Sequence, residues 1–202
     1  MDTALEIAPS DCWRYALLAS APETDDTDFT MTRFAEIVNK DLNGLLGNFV
    51  SRVCKLSSKN FGNTVPAGRA MDEDLAHRIN EKLAELTGCL DACEFRKSII
   101  ALRDIYGIAN EYMTAREPWA LVKNGDTAGA AAVLNECFQL IDLFARVSAP
   151  IIPDAAEKIQ NIFAGAHDLS WPTMYEHRIE SGEKFTVPEN LFTRIELEST
   201  KE

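Results

Sequence analysis

The stretch from Asp41 to Lys59, "DLNGLLGNFVSRVCKLSSK", decides the fold. Leu42, Leu45, Leu46, Phe49, Val53 and Leu56 recur in it at helical spacing, so one face of a helix is apolar and needs a partner surface. Thr30 or Thr32 is the natural N-cap, and the spacing predicts one helix from there to about Lys59, the longest in the chain. Gly47 and Asn48 do not suit it, since glycine costs about 1 kcal/mol relative to alanine in an exposed helix interior. Such local violations concentrate where function makes demands. Opposite the apolar stripe, Asn48, Arg52, Lys55 and Lys59 follow at steps of four, three and four and form a polar stripe. An ordinary solvated face accounts for Lys55 and Lys59. Arg52 is more informative, because a guanidinium bonds bidentately and stacks on bases. Asn48 carries a donor and an acceptor on one amide, which reading a base edge requires. Gly47 leaves room for a neighbouring helix or a nucleotide.

The remaining segments read as further helices. "DCWRYALLAS" (residues 11–20) is a short one, closed by the acidic loop "APETDDTDFT", and "NFGNTVPAG" breaks the long helix after Lys59. Helices are predicted over about Asp72–Leu86, stopping near Gly88, and over about Ala92–Ala115. A short one follows Pro118 in "REPWALVKNGD", with others over about Thr127–Val147 and after Pro153. Beyond Gly165, alternating runs around Ser181-Gly182 suggest a short hairpin or an extended tail. The predicted fold class is all-α, an up-and-down helical bundle with an irregular C-terminal tail. Its expected organisation is an N-terminal helix and acidic linker over 1–29, the bundle over 30–165, and a tail over 166–202 packing back on the bundle.

With 46% hydrophobic and 26% charged residues in 202, the composition is that of a soluble globular domain. No uninterrupted apolar run approaches the roughly 18 residues that cross a bilayer, and the N-terminus lacks a basic-then-apolar leader. The expected location is cytoplasmic. Five cysteines lie mostly in apolar helical patterns, where thiols act as small hydrophobes rather than as a disulfide framework. Cys89 and Cys93 are four apart, a spacing that on a helix shares one face, but no histidine spacing completes a metal site around them, and they read as core or surface cysteines. The net charge of -12 argues against a polyanionic partner for the chain as a whole. Residues 33–59 are the exception, with five bases against two acids. No phosphate-binding glycine loop, Gly-x-Ser-x-Gly or His-Glu-x-x-His motif is present, and acid pairs such as Asp25-Asp26 sit in a polar loop. No catalytic residue is assigned. Trp119, after Pro118, is by itself more often a core anchor than a stacking platform. An aromatic platform, an amide and a basic stripe together are nevertheless what single-stranded nucleic acid is bound by.

The series "DCWRYALLASAPETDDTDF", "VNKDLNGLLGNFVSR", "NTVP", "REPWALVK", "APIIPDAAEKI" and "PENLFTRIE" resembles the C-terminal anticodon-binding domain of methionyl-tRNA synthetase, a class I aminoacyl-tRNA synthetase. "LGNFVSR" with "EPWALVK" is the specific pair. The resemblance implies that Asn48, Arg52 and Trp119 recognise the CAU anticodon of methionine tRNAs, with the tryptophan stacking against the wobble cytosine. Lys55 and Lys59 would then support the RNA backbone. It also implies that ATP and methionine bind a separate catalytic domain, acting in cis or in trans, whose His-Ile-Gly-His-like and Lys-Met-Ser-Lys-Ser-like motifs are absent here. "KLSSK" (Lys55–Lys59) imitates the second motif from inside a helix. By this reading the chain begins just after the missing domain, is inactive as a ligase alone, uses no cofactor of its own, and contacts neither membrane nor DNA. The alternative is a helical protein-interaction module of a synthetase complex without RNA binding, suggested by the acidic charge.

Overall fold

The computed structural model describes residues 2–23, 26–68, 70–165 and 167–196. The elements in chain order are α1 (Asp2–Ile7), α2 (Ser10–Ala19), α3 (Met31–Ile37), a π-helical segment (Val38–Gly47) and α4 (Asn48–Phe61). They continue with α5 (Glu73–Asp91), α6 (Phe95–Arg116), α7 (Pro118–Lys123), α8 (Thr127–Ser148) and α9 (Pro153–Gln160). The class is all-α and the architecture a helical bundle.

Local chemistry starts these helices. The Thr30 hydroxyl accepts from the Arg33 amide at 3.1 Å, Asp72 from Leu75 at 3.2 Å, and Asp126 from Gly129 at 2.8 Å. Each cap satisfies an amide that the first helical turn leaves without an intrahelical partner. α3, the π segment and α4 run without a break, so the apolar stripe Leu42, Leu46, Phe49 and Val53 is buried along one side. That stripe packs toward α8, whose residues Ala130 to Ser148 are all buried. Phe144 of α8 sits 5.3 Å from the Phe49 ring and edge-on to Tyr106 at 4.9 Å, and the Tyr106 and Ser148 hydroxyls share a 2.6 Å hydrogen bond. By length and mean hydropathy, 1.3, α8 is apolar enough to cross a membrane; 83% of that window is buried inside the bundle, as befits a core helix.

One helix boundary is corrected and two open points are resolved. α5 runs through Gly88 to Asp91, because nothing crowds that glycine and the helix gains further turns of packing. The chain turns only at Cys93, which has a left-handed φ of 57°, so Cys89 and Cys93 do not share a helix face. Of the short hairpin and the extended tail expected beyond Gly165, the extended tail is found, and it pairs with two loops. Val65 donates to the Glu183 carbonyl and Gly182 to the Val65 carbonyl, both at 2.8 Å. Ala164 and Thr186 exchange similar bonds with Lys184 and Ile162.

Polar residues buried on α8 dock the tail. Gln139 accepts from the Arg178 and Ile179 amides at 2.8 and 2.9 Å and donates to the Ile179 carbonyl at 2.8 Å. Glu136 accepts from the Tyr175 hydroxyl at 2.6 Å and meets His177 Nε2 at 2.9 Å. Arg146 donates to the Ser170 carbonyl and to Glu176. Further on, Asn39 holds the Ile195 backbone through both ends of its amide, at 2.9 Å each.

Candidate nucleic-acid interface

The long α3–α4 helix presents its polar stripe to solvent. Asn48 opens α4 and is exposed, Arg52 follows one turn later and is half-buried, and Lys55 and Lys59 are exposed beyond it. Trp119 comes from elsewhere in the chain. Glu117, with a left-handed φ of 43°, breaks α6 from α7, and buried Pro118 occupies the first turn of α7, where a missing amide hydrogen costs nothing. This corner projects Trp119, 38% exposed, beside α4. The Arg52 guanidinium lies over the indole at 5.3 Å from the ring centroid, within cation–π range. The tryptophan is therefore a partly exposed surface residue with a cation over its ring, and not a core anchor. Arg52, Lys55 and Lys59 form no ion pair among the described residues, so their charge is available to an anion.

Gly47 plays a different part from the one its sequence position suggests. A Cβ there would stand 3.2 Å from the Leu42 carbonyl oxygen and 3.5 Å from Phe192 Cδ2. The space beside it is taken by the tail's buried Phe192, not left open for a nucleotide. Its helical φ of -63° needs no glycine, so close packing is what the residue serves.

Toward the N-terminus the stripe continues into an open cleft of 810 Å³ lined by Thr32, Glu36, Lys40, Asn43, Asn48 and Arg194, among others. Asn43 and Asn48 have amides without hydrogen-bond partners among the described residues, whereas Asn39 is fully engaged with the tail. Lys40 and Asn43 sit about two turns and one turn before Asn48 on the same helix; the π segment shifts them off the simple three-and-four spacing, so the stripe read from the sequence leaves them out.

The family model described as the anticodon binding domain of methionyl tRNA ligase matches residues 65–202, and that described as tRNA synthetases class I (M) matches residues 1–54. Asn48 and Arg52 thus fall in one match and Trp119 in the other. Methionine–tRNA ligase of Caulobacter vibrioides is 42% identical over 209 residues, which take in 100% of this chain and 37% of that protein. The Streptomyces avermitilis ligase is 42% identical over 212 residues, with the same two shares. The chain therefore spans little more than a third of the length of these relatives. Among solved structures, apo Mycobacterium tuberculosis methionyl-tRNA synthetase superposes with a TM-score of 0.87 at 24% identity, over 96% of this chain and 41% of that one. The same enzyme in complex with methionyl-adenylate gives 0.86 at 25% identity, over 96% and 40%. Sequence and fold agree: the chain belongs to the methionyl-tRNA ligase family, in the part that carries the anticodon-binding domain.

Proposed function

We propose that this chain binds the anticodon loop of methionine tRNAs and reads CAU through Asn48, Arg52 and Trp119, serving aminoacylation in cytoplasmic translation. The observation that carries the reading is the exposed Trp119 ring with the Arg52 guanidinium 5.3 Å from its centroid. A base splayed from a single-stranded loop would stack on the indole and complete a base–indole–guanidinium sandwich. Asn48, exposed one turn before Arg52, would supply donor and acceptor to a base edge. Lys55 and Lys59 would follow the backbone. In this proposal the chemistry, with ATP and methionine, belongs to a catalytic domain acting in cis or in trans, and the chain alone does not form an adenylate.

The net charge of -12 weakens long-range attraction of RNA, so binding rests on a few local contacts. Titration with a CAU anticodon stem–loop at low salt tests this. Asn48→Ala, Arg52→Ala and Trp119→Ala are each expected to cost about 1–3 kcal/mol and to erode preference over a stem–loop with an altered anticodon. Equal binding by wild type and all three variants would sink the assignment.

A further inference from the structure

A second cleft, of 360 Å³, lies where the end of α2, the α3–π junction and the first turns of α6 meet. Four cations line it, Arg33, Lys40, Arg96 and Arg103, against two acids, Glu36 and Asp41. Among the described residues none of the four forms an ion pair. Elsewhere Arg78, Arg116, Arg146 and Arg178 each meet a carboxylate at 2.6 to 3.1 Å. In a chain with 32 acids and 20 bases, four cations around one hollow with no ion pair among the described residues are a local reversal of the molecule's field, although the Glu23 carboxylate lies close by, on the Arg96 amide at 2.7 Å. Of the two acids, Asp41 is 4% exposed and takes the Tyr15 hydroxyl at 3.3 Å. Only Glu36 stands nearer solvent.

This basic cleft joins the interface already described. Glu36 and Lys40 line both it and the larger cleft that ends at Asn48. At about 1.5 Å of rise per helical residue, Lys40 lies roughly 12 Å and Arg33 roughly 22 Å along the axis from Asn48. A nucleic-acid duplex strand advances on the order of 3 Å per nucleotide, so the cleft meets a bound strand several nucleotides from the base read at Asn48. Arginine forks fit phosphate oxygens.

We propose that the cleft bounded by Arg33, Lys40, Arg96 and Arg103 holds backbone phosphates of the RNA whose loop bases are read at Asn48, Arg52 and Trp119, in the stem beyond that loop. The site rests on the anticodon-reading assignment for its ligand, and its signature differs from that assignment. Phosphate contacts weaken binding uniformly across sequences and set the salt slope, whereas base contacts set sequence preference.

The test is titration of the 202-residue chain with CAU and altered-anticodon stem–loops across a salt series, for wild type, Arg33→Gln/Arg103→Gln, Arg33→Lys/Arg103→Lys and Trp119→Ala. The double glutamine variant is expected to bind both RNAs more weakly by the same factor, roughly tenfold, and to lower the log–log salt slope by about 2. The lysine pair should keep the slope, and thermal melts should show both pairs folded. A glutamine variant that is folded and retains the wild-type affinity and slope would overturn the proposal. So would loss confined to the CAU stem–loop. A wild-type chain that binds both RNAs equally would instead remove the anticodon reading, and the salt slopes would still report on the cleft.

Discussion

Two helical surfaces of this bundle carry polar residues, and they resolve them in opposite ways. On α8, Glu136, Gln139, Asp142 and Arg146 are buried, and each has a partner, mostly from residues 168–179. Along the π segment and α4, Lys40, Asn43, Asn48, Arg52, Lys55 and Lys59 have no hydrogen-bond or ion-pair partner among the described residues. A buried polar group must be satisfied internally or it costs stability. Polar groups on α8 therefore specify where the tail lies, whereas on the long helix only Asn39 among the described residues shares that task and these six are left without a partner. Polarity within a helix has no single meaning until its partner is known.

The comparison breaks most visibly at Gln139. Replacing it by leucine removes three hydrogen bonds to the Arg178–Ile179 backbone and leaves the buried Ile179 amide and carbonyl without partners. The expected loss is about 2–4 kcal/mol, read by chemical denaturation. Proteolysis should then cut the tail before the bundle. Retained stability would mean that the tail is not docked through α8.

A smaller effect, of opposite sign, is expected at Asp41, the buried acid on the long helix. Its Oδ1 has no hydrogen-bond partner, and burial raises its carboxyl above the ordinary 3.8 despite the pull of Arg103. With the folded pKa above the unfolded one, the stabilising contribution is complete below about pH 3.8 and is lost as pH rises through the raised value. Asp41→Asn keeps an acceptor for Tyr15 and does not titrate. The variant should gain on wild type as pH rises through that window and hold its gain above it, in denaturant melts over a pH series. A difference that is flat with pH would contradict the burial of this charge.

The smallest effect belongs to Gly47→Ala. Helix propensity favours alanine by about 1 kcal/mol, while the new Cβ presses on the Leu42 carbonyl oxygen at 3.2 Å and approaches Phe192. The two terms nearly cancel, so stability should stay within about 1 kcal/mol of wild type. RNA binding should be unchanged, because the residue faces the tail. A selective loss of RNA affinity would restore Gly47 to the interface.

These particulars show what a one-dimensional reading reaches. The stripe from Leu42 to Leu56 is periodic, so the long helix and its Thr30 cap are legible. The π segment inside it is not, because apolar residues at i, i+3 and i+4 serve either winding. α1 is too short to show a period. Gly88 looks like a stop, and is not one, since nothing around it forces a turn. The tail's pairing with residues 63–65 and 162–164 joins segments distant in sequence, and no local pattern announces it. Asn48, Arg52 and Trp119 could each be singled out. Their assembly could not: the left-handed Glu117 that brings the indole to the guanidinium is an ordinary glutamate in the sequence.

The π segment, finally, acts as an angular vernier. Asn48 and Arg52 are aimed by how many residues wind through Val38–Gly47 before α4 begins, as well as by what they touch. Each α-helical residue turns the chain by about 100°. A one-residue deletion there can be taken up by tightening the π winding to α, which keeps the direction of the Asn48 and Arg52 face, whereas the same deletion at the start of α4 would turn that face by about 100°. In this bundle the winding of the segment ahead of Asn48 helps to set the direction in which that face points.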